Sequence, residues 1–543
     1  MSATDRVSLA PDSNQALGIA QFAIDFMERG APAQDVLDRT DLFHTDAVVC
    51  GLSALALRTN APTVLRDEAL QYAVPAGDNG PGLGRSKHHG ATVFGSSVRV
   101  KSEKAIVANC AAVREWDSNG TNFGFRPELG HTAGEFGHND FYAVPLAAAQ
   151  MLGADGTTAL KGMVLHDEIR GRLAEVFSLK TYKIDHVLHG AIASAATFGA
   201  MIGATAEQIE SAIGMVVAHA VPFRAIRAGK QLSDSKGSSA AISTEFAILA
   251  LKRSMAGFMG PRDIFRNPEA VFRMFEGPGQ MFTKVNKDGS AEPANHAPAD
   301  ASPFELVLSM SGSDFTIMGM HFKLGLYEHQ SAGASQAVID LIRKQPSLLD
   351  DASGGKIGKI KVVAYEPAFG IIGDPAKRSP TTRQSADHSM VFIISRLLAK
   401  ALKQGASGSN EDVWKGLMLE PADYGRDAIA DPFTKSLMDK IEFEHGGDEY
   451  DRNYPDGIPT SVVITDDAGG VHDSGMVMYP AGHARNTEAD LHDILGHKFR
   501  LLGGLAADNA DAVVTRYEKL GGKSADEIQT INDLELTLRE SVD

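Results

Sequence analysis

Three stretches of small apolar residues constrain this chain more than any other feature: Val144 to Leu152, Gly190 to Ile202 and Ser238 to Ala256. Each is rich in Ala and Gly. Small side chains let helix backbones approach closely, so the stretches read as internal helices of a packed bundle. Polar residues interrupt them, and no run of about 18 apolar residues occurs anywhere, so no transmembrane helix is expected. Asn14 to Arg29 adds another helix, with Ala16, Leu17, Ile19, Ala20, Ala23, Ile24 and Met27 near helical period. Pro32 opens a further one, carrying Val36, Leu37, Val48, Val49, Leu52 and Leu55. Gly203 followed by Thr205 reads as a helix end and a new N-cap, and Gly257 to Pro261 closes another helix.

From about residue 314 the pattern changes. Ile357 to Tyr365 alternates apolar and polar residues and is rich in β-branched side chains, so it reads as a strand. Thr460 to Thr465 and Val471 to Tyr479 do the same, joined by the hairpin signal Asp466 to Gly470. Helical stretches lie between them, notably His388 to Leu402. The end, Glu488 to Asp543, returns to helical patterns, with Leu491, Ile494, Leu495, Phe499 and Leu502 on one face. The expected architecture is mostly α: a large helical domain built from both chain ends (1–313 and 486–543), interrupted by an α+β domain (314–485). Asn286 to Pro303 is expected to form an exposed loop.

Composition removes several classes of function. The 543 residues hold 52 Lys and Arg against 69 Asp and Glu, a net charge of −17, which does not suit a general nucleic-acid binder. Two cysteines, Cys50 and Cys110, supply neither a disulfide framework nor the ligands of an iron–sulfur cluster. Met1 to Pro11 lacks the pattern of a signal peptide. A soluble protein of a reducing compartment is expected, most simply the cytoplasm, with a mitochondrial matrix form as the alternative. No phosphate-binding loop, His-Glu-x-x-His zinc motif or Gly-x-Ser-x-Gly elbow is present.

Histidine placement is more telling. Five stretches put a His beside an acid, a Lys or another polar group: Glu135 to Asp140, Lys183 to His186, Tyr327 to Gln330, Ala386 to Ser389 and Pro480 to Arg485. Each alone reads as a structural histidine. With Asp117, Lys230, Lys236 and Lys323 they point to a cationic, proton-transferring pocket for a substrate with several carboxylates. A second cluster, Arg114-Glu115-Trp116-Asp117-Ser118-Asn119-Gly120-Thr121, follows the apolar run Ala105 to Val113. Polar capping of a helix end leaves its tryptophan unexplained.

Arg114 to Thr121, the Gly137-His138 segment and the helix after it resemble the MmgE/PrpD family. So do Lys183-Ile184-Asp185-His186 with the small residues that follow, Asp387-His388-Ser389, Asp431-Pro432-Phe433 and Tyr479 to Arg485. Ser235-Lys236-Gly237 matches in part. The resemblance runs in order from about residue 14 to 543. The chain departs from the pattern in a longer Asn122 to Gly137 stretch that carries His131, in Asn139-Asp140-Phe141, in Ser235, and in Leu324 to Glu328 after Lys323.

The resemblance implies an α+β lid over a helical domain, with the active site between them, no metal or organic cofactor, and a homodimer. It implies a hydro-lyase that dehydrates 2-methylcitrate or a related hydroxy-tricarboxylate to an aconitate-type product. Decarboxylation or epimerisation of a related acid in the same site is one alternative, and a non-catalytic helical scaffold is another. Within the dehydratase reading His186 or Asp117 is the base and His138 the acid. Lys236, Lys230 and Lys323 hold carboxylates, Thr121 positions substrate, and His388 joins from the lid.

Overall fold

The computed structural model describes residues 5–75, 82–227, 231–274 and 300–543. Lys230 and most of the expected loop at 286–303 lie outside them.

The small-residue stretches are helices at the centre of the molecule. In chain order the first part runs α1 (Gln15–Arg29), α2 (Gln34–Ala56), α3 (Asn60–Leu70), α4 (Ser102–Glu115), α5 (Ala143–Leu152), α6 (Gly156–Val176), α7 (Val187–Ile202), α8 (Ala206–His219) and α9 (Asp234–Met255). Asn14 caps α1 by accepting from the Leu17 N–H, and Thr205 forms a reciprocal capping box with Gln208 at α8. α7 is buried along its whole length and packs against α5, α6, α8 and α9. Its glycines permit that: a Cβ on Gly190 would stand 2.0 Å from Phe141 Cζ. That approach seats α7 directly against the segment following His138.

After residue 300 the chain first returns to its beginning, pairing Leu306–Ser309 antiparallel with Arg6–Leu9. It then builds a four-stranded sheet in the order Ile441–His445, Ile357–Ala364, Thr460–Asp466, Val471–Asp473. The first pair is parallel and the others antiparallel. The helices Ser331–Lys344 and Met390–Gln404 pack together beside it. On the sheet, Ile360, Val362 and Ala364 are buried. Lys359 and Lys361 instead pair across the strands with Glu442 and Glu444. This is the inside–outside alternation of a sheet with one covered face. The hairpin forms as its sequence predicts: Asp466 accepts from Ala468 and Gly470, and Gly469 sits at φ +86°. The expected strand over Val471–Tyr479 is shorter, ending at Asp473, because Gly475 takes φ +71° and turns the chain before Val477 rejoins Thr460.

The final segment comes back to the first helices. Leu491–Ala506 packs on α2, burying Ile494, Leu495, Phe499 and Leu502. Two shorter helices follow, Ala510–Tyr517 and Ala525–Thr530. The last residues run without helix, with Leu534 and Leu536 packed on the core and Glu535 between them exposed, the alternation of an extended segment rather than a helical period. The molecule is thus mostly helical with a smaller α+β region. Among the described residues no single helix is long and apolar enough to cross a membrane; α2 and α3 pass that test only together, across an 89° bend.

Candidate active site

Between the first helical part and the α+β region lies a cleft lined by Arg114, Asp117, Thr121, His138, His186, Arg224, Arg227, Glu328, Lys377 and His388, among others.

Asp117 follows the C-terminus of α4, where Trp116 leaves the helix in an extended conformation. The tryptophan is a fixing point: its Nε1 donates to Ser53 Oγ on α2 at 2.9 Å, and the Arg383 guanidinium lies 4.7 Å above its ring. Arg383 also pairs with Glu115, so the α+β region grips both residues ahead of Asp117. Further along, Ser118 Oγ donates to Gly325 O, and the Lys498 ammonium reaches the carbonyls of Ser118 and Lys323 at 2.8 Å each while pairing with Asp46. The last long helix of the chain therefore braces the two loops that carry Asp117 and Lys323.

The Asp117 carboxylate is surrounded by basic groups. Arg114 approaches at 3.0 Å, Lys236 at 3.4 Å and His388 Nε2 at 3.1 Å, and Lys323 pairs with it directly. Burial alone would raise this carboxyl, but Arg114, Lys323, Lys236 and His388 outweigh it and hold it well below its ordinary value. Lys236 also lies 3.0 Å from Asp387, which in turn lies 2.8 Å from His388 Nδ1. Asp117, Asp387 and His388 bring three ligand atoms within 4.8 Å of one another, the spacing of a metal site. Arg114, Lys236 and Lys323 already face those carboxylates, and their charge would repel a divalent cation.

The departure at Asn122–Gly137 is an excursion closed by a two-residue ladder that sets Thr121 opposite His138. Its two ends supply Phe123 and Phe136 to the cleft wall, while His131 turns toward Glu175, 3.6 Å away. Thr121 Oγ1 donates to Gly137 O at 2.8 Å. His186 stands at the N-cap of α7, its ring centroid 5.2 Å from that of His138. His189, one turn on, is spent on the Phe177 carbonyl. Burial, with Arg114 and Lys323 nearby, lowers His138 well below its ordinary value. Burial lowers His186 likewise, aided by Arg227 and opposed by Asp185. Both imidazoles are neutral at physiological pH.

The structure thus brings Asp117, Thr121, His138, His186, Lys236, Lys323 and His388 together, but it divides the cations differently from the sequence reading. Lys236 and Lys323 are fully buried and hold the protein's own Asp117 and Asp387. The cations that face the cleft are Arg114, Arg224, Arg227 and Lys377, against the acids Asp117 and Glu328. Arg114 is committed to Asp117, and Arg227 to Asp185. Arg224 and Lys377 have no acid at ion-pair distance among the described residues, and burial lowers both. Arg224 and Arg227 stand three apart on a short turn between α8 and α9, a basic pair visible in the sequence but not singled out. Lys377, at the end of the short 3-10 turn Pro375–Lys377 in the α+β region, carried no comparable signal.

Comparison with known proteins agrees with the architecture. A model of the MmgE/PrpD N-terminal domain matches residues 18–282, and one of the MmgE/PrpD C-terminal domain matches residues 413–519. The chain is similar to the 2-methylcitrate dehydratase of Escherichia coli K12, 23% identical over 451 residues, covering 80% of this chain and 82% of that one. It is 23% identical over 516 residues to the Salmonella typhimurium 2-methylcitrate dehydratase, covering 92% of each. With the mitochondrial 2-methylcitrate dehydratase of Yarrowia lipolytica it shares 24% over 374 residues, 65% of this chain and 62% of that one.

Proposed function

This chain belongs to the MmgE/PrpD family, and on that footing we propose that it is a hydro-lyase dehydrating 2-methylcitrate or a related hydroxy-tricarboxylate by acid–base chemistry on its own side chains. The observation that carries the reading is the pair of neutral imidazoles, His138 and His186, in one cleft with two basic side chains, Arg224 and Lys377, that no acid among the described residues meets at ion-pair distance. A tricarboxylate supplies the missing negative charge. The net charge of −17 is no obstacle, because the excess carboxylates lie elsewhere.

Dehydration removes a proton α to a carboxylate and expels hydroxide from the neighbouring carbon. Arg224 and Lys377 hold the carboxylate beside the reacting carbon and stabilise the charge that develops there. His186 is the base; it is unprotonated before substrate arrives, and the bound anion raises its affinity for the incoming proton. Asp117 is a poor base, since four basic groups already occupy it. Its role is to fix Arg114, Lys236, Lys323 and His388 behind the cleft. Thr121, whose hydroxyl proton is directed to Gly137, offers its oxygen as an acceptor to substrate.

The test is a panel of citrate, 2-methylcitrate, cis-aconitate and smaller hydroxy acids, read by enoate absorbance and by mass. Loss of water with new absorbance supports the proposal. Release of carbon dioxide, or a stereochemically scrambled product without new absorbance, assigns the site to decarboxylation or epimerisation instead. No change with any acid overturns an enzymatic reading based on tricarboxylates.

A further inference from the structure

Two carboxyls line the cleft, and they differ in what surrounds them. Asp117 meets four basic groups. Glu328 closes the Leu324–Glu328 stretch in which this chain departs from the family pattern. It has no basic side chain at ion-pair distance among the described residues. Both its oxygens lie 3.1 Å from the Gln330 N–H, and its own N–H donates to Asp387 O at 2.9 Å, which fixes it next to His388. The groups that face it are mixed: Asp117 disfavours its charge, Lys323 and Lys377 favour it from further off, and the phenols of Tyr365 and Tyr454 stand nearby. Burial first, and Asp117 second, push this carboxyl up to about 8, so it holds its proton at neutral pH.

The leaving hydroxyl needs an acid. His138 and His186 are both neutral, as is His388, which burial and the nearby Lys236 lower to about 3, and in this reading Arg224 and Lys377 are engaged on the substrate carboxylate. Two carboxyls in one cleft whose surroundings drive them to opposite protonation states have opposite uses.

We propose that Glu328 is the general acid, giving its carboxyl proton to the departing hydroxyl while His186 takes the α proton. This rests on the dehydratase reading. The C–H electron pair becomes the new π bond. The C–O pair leaves with the oxygen, which departs as water with the proton from Glu328. Each cycle leaves one proton on His186 and removes one from Glu328, and transfer through solvent between the two restores the starting state.

The test is Glu328→Gln, which keeps the shape and neutrality of the protonated side chain and so is expected to fold. Turnover of the dehydrated substrate should fall about 10²–10⁴-fold. In the wild type kcat/KM should decline as pH rises through about 8, because the acid must hold its proton, and that decline should be lost in the variant. Glu328→Asp should restore part of the rate together with the alkaline decline. In the substrate-free wild type an infrared carboxyl band should titrate near pH 8 and be absent from Glu328→Gln. A variant within about threefold of wild type, far less than a positioned acid contributes, overturns the proposal. So does a variant that keeps the alkaline decline, or a wild type without the band. A wild type that dehydrates no tricarboxylate overturns the reaction itself, a separate result from a working dehydratase in which Glu328→Gln is equally active.

Discussion

Asp117 and Glu328 face the same cleft, yet one carboxyl is ringed by Arg114, Lys236, Lys323 and His388 while the other meets at close range only the neutral backbone N–H and side-chain amide of Gln330. The same contrast divides the cations. Lys236 and Lys323 are paired with the protein's own acids, whereas Arg224 and Lys377 meet none at ion-pair distance among the described residues. A basic residue near an active site is therefore not by itself a substrate clamp. What it can hold depends on whether the fold has already neutralised it, since a committed ammonium has little attraction left for a ligand.

The sharpest way to break this comparison is Asp117→Ala. It leaves buried Lys323 without an acid at ion-pair distance among the described residues, and Arg114 and Lys236 with only Asp140 and Asp387, and removing one partner of a buried pair costs about 3–5 kcal/mol. The denaturation midpoint should drop steeply; a midpoint equal to wild type would mean the cluster is not charged as described. His186→Ala, on the open side, should leave the melting curve nearly unchanged while turnover falls about 10²–10⁴-fold. The wild-type profile sharpens the point. A base must be unprotonated, and His186 is lowered, so kcat/KM should show no acidic decline near the ordinary histidine value of about 6.5.

Smaller effects separate the two kinds of cation. Arg224→Gln and Lys377→Gln each remove a charge-assisted contact to substrate and should raise KM roughly tenfold with little change in stability. Lys236→Gln should do the reverse, with stability lost before KM moves. The control is Lys361→Ala on the sheet, whose pair with Glu444 at 2.9 Å is open to solvent on both sides. It should shift the midpoint by less than about 1 kcal/mol. An effect as large as that at Asp117 would show that burial is not what distinguishes the cluster.

Much of this was legible in the chain. The small-residue stretches became the central helices, Thr205 its capping box, and Asp466–Gly470 its hairpin. Asp117, Thr121, His138, His186 and His388 converge on the cleft. Other parts were hidden for a physical reason. Trp116 at the end of α4 made sense only with Ser53 beneath it and Arg383 above. Lys498 steadies the site from 452 positions away from its partner Asp46. Lys323 meets Asp117 across 206 positions, and no local pattern reports that the two will neutralise each other.

The sequence by itself determined which segments are helical or extended, because hydrophobic period, capping and turn residues act over a few positions of chain. It also determined which chemical groups are present. Only the tertiary structure decided which acid answers which cation, and so which carboxyl is ionised, which keeps a proton, and which cations remain open to an anion. Those outcomes follow from burial and from charges a few ångströms apart in space, and such distances do not exist until the fold has formed.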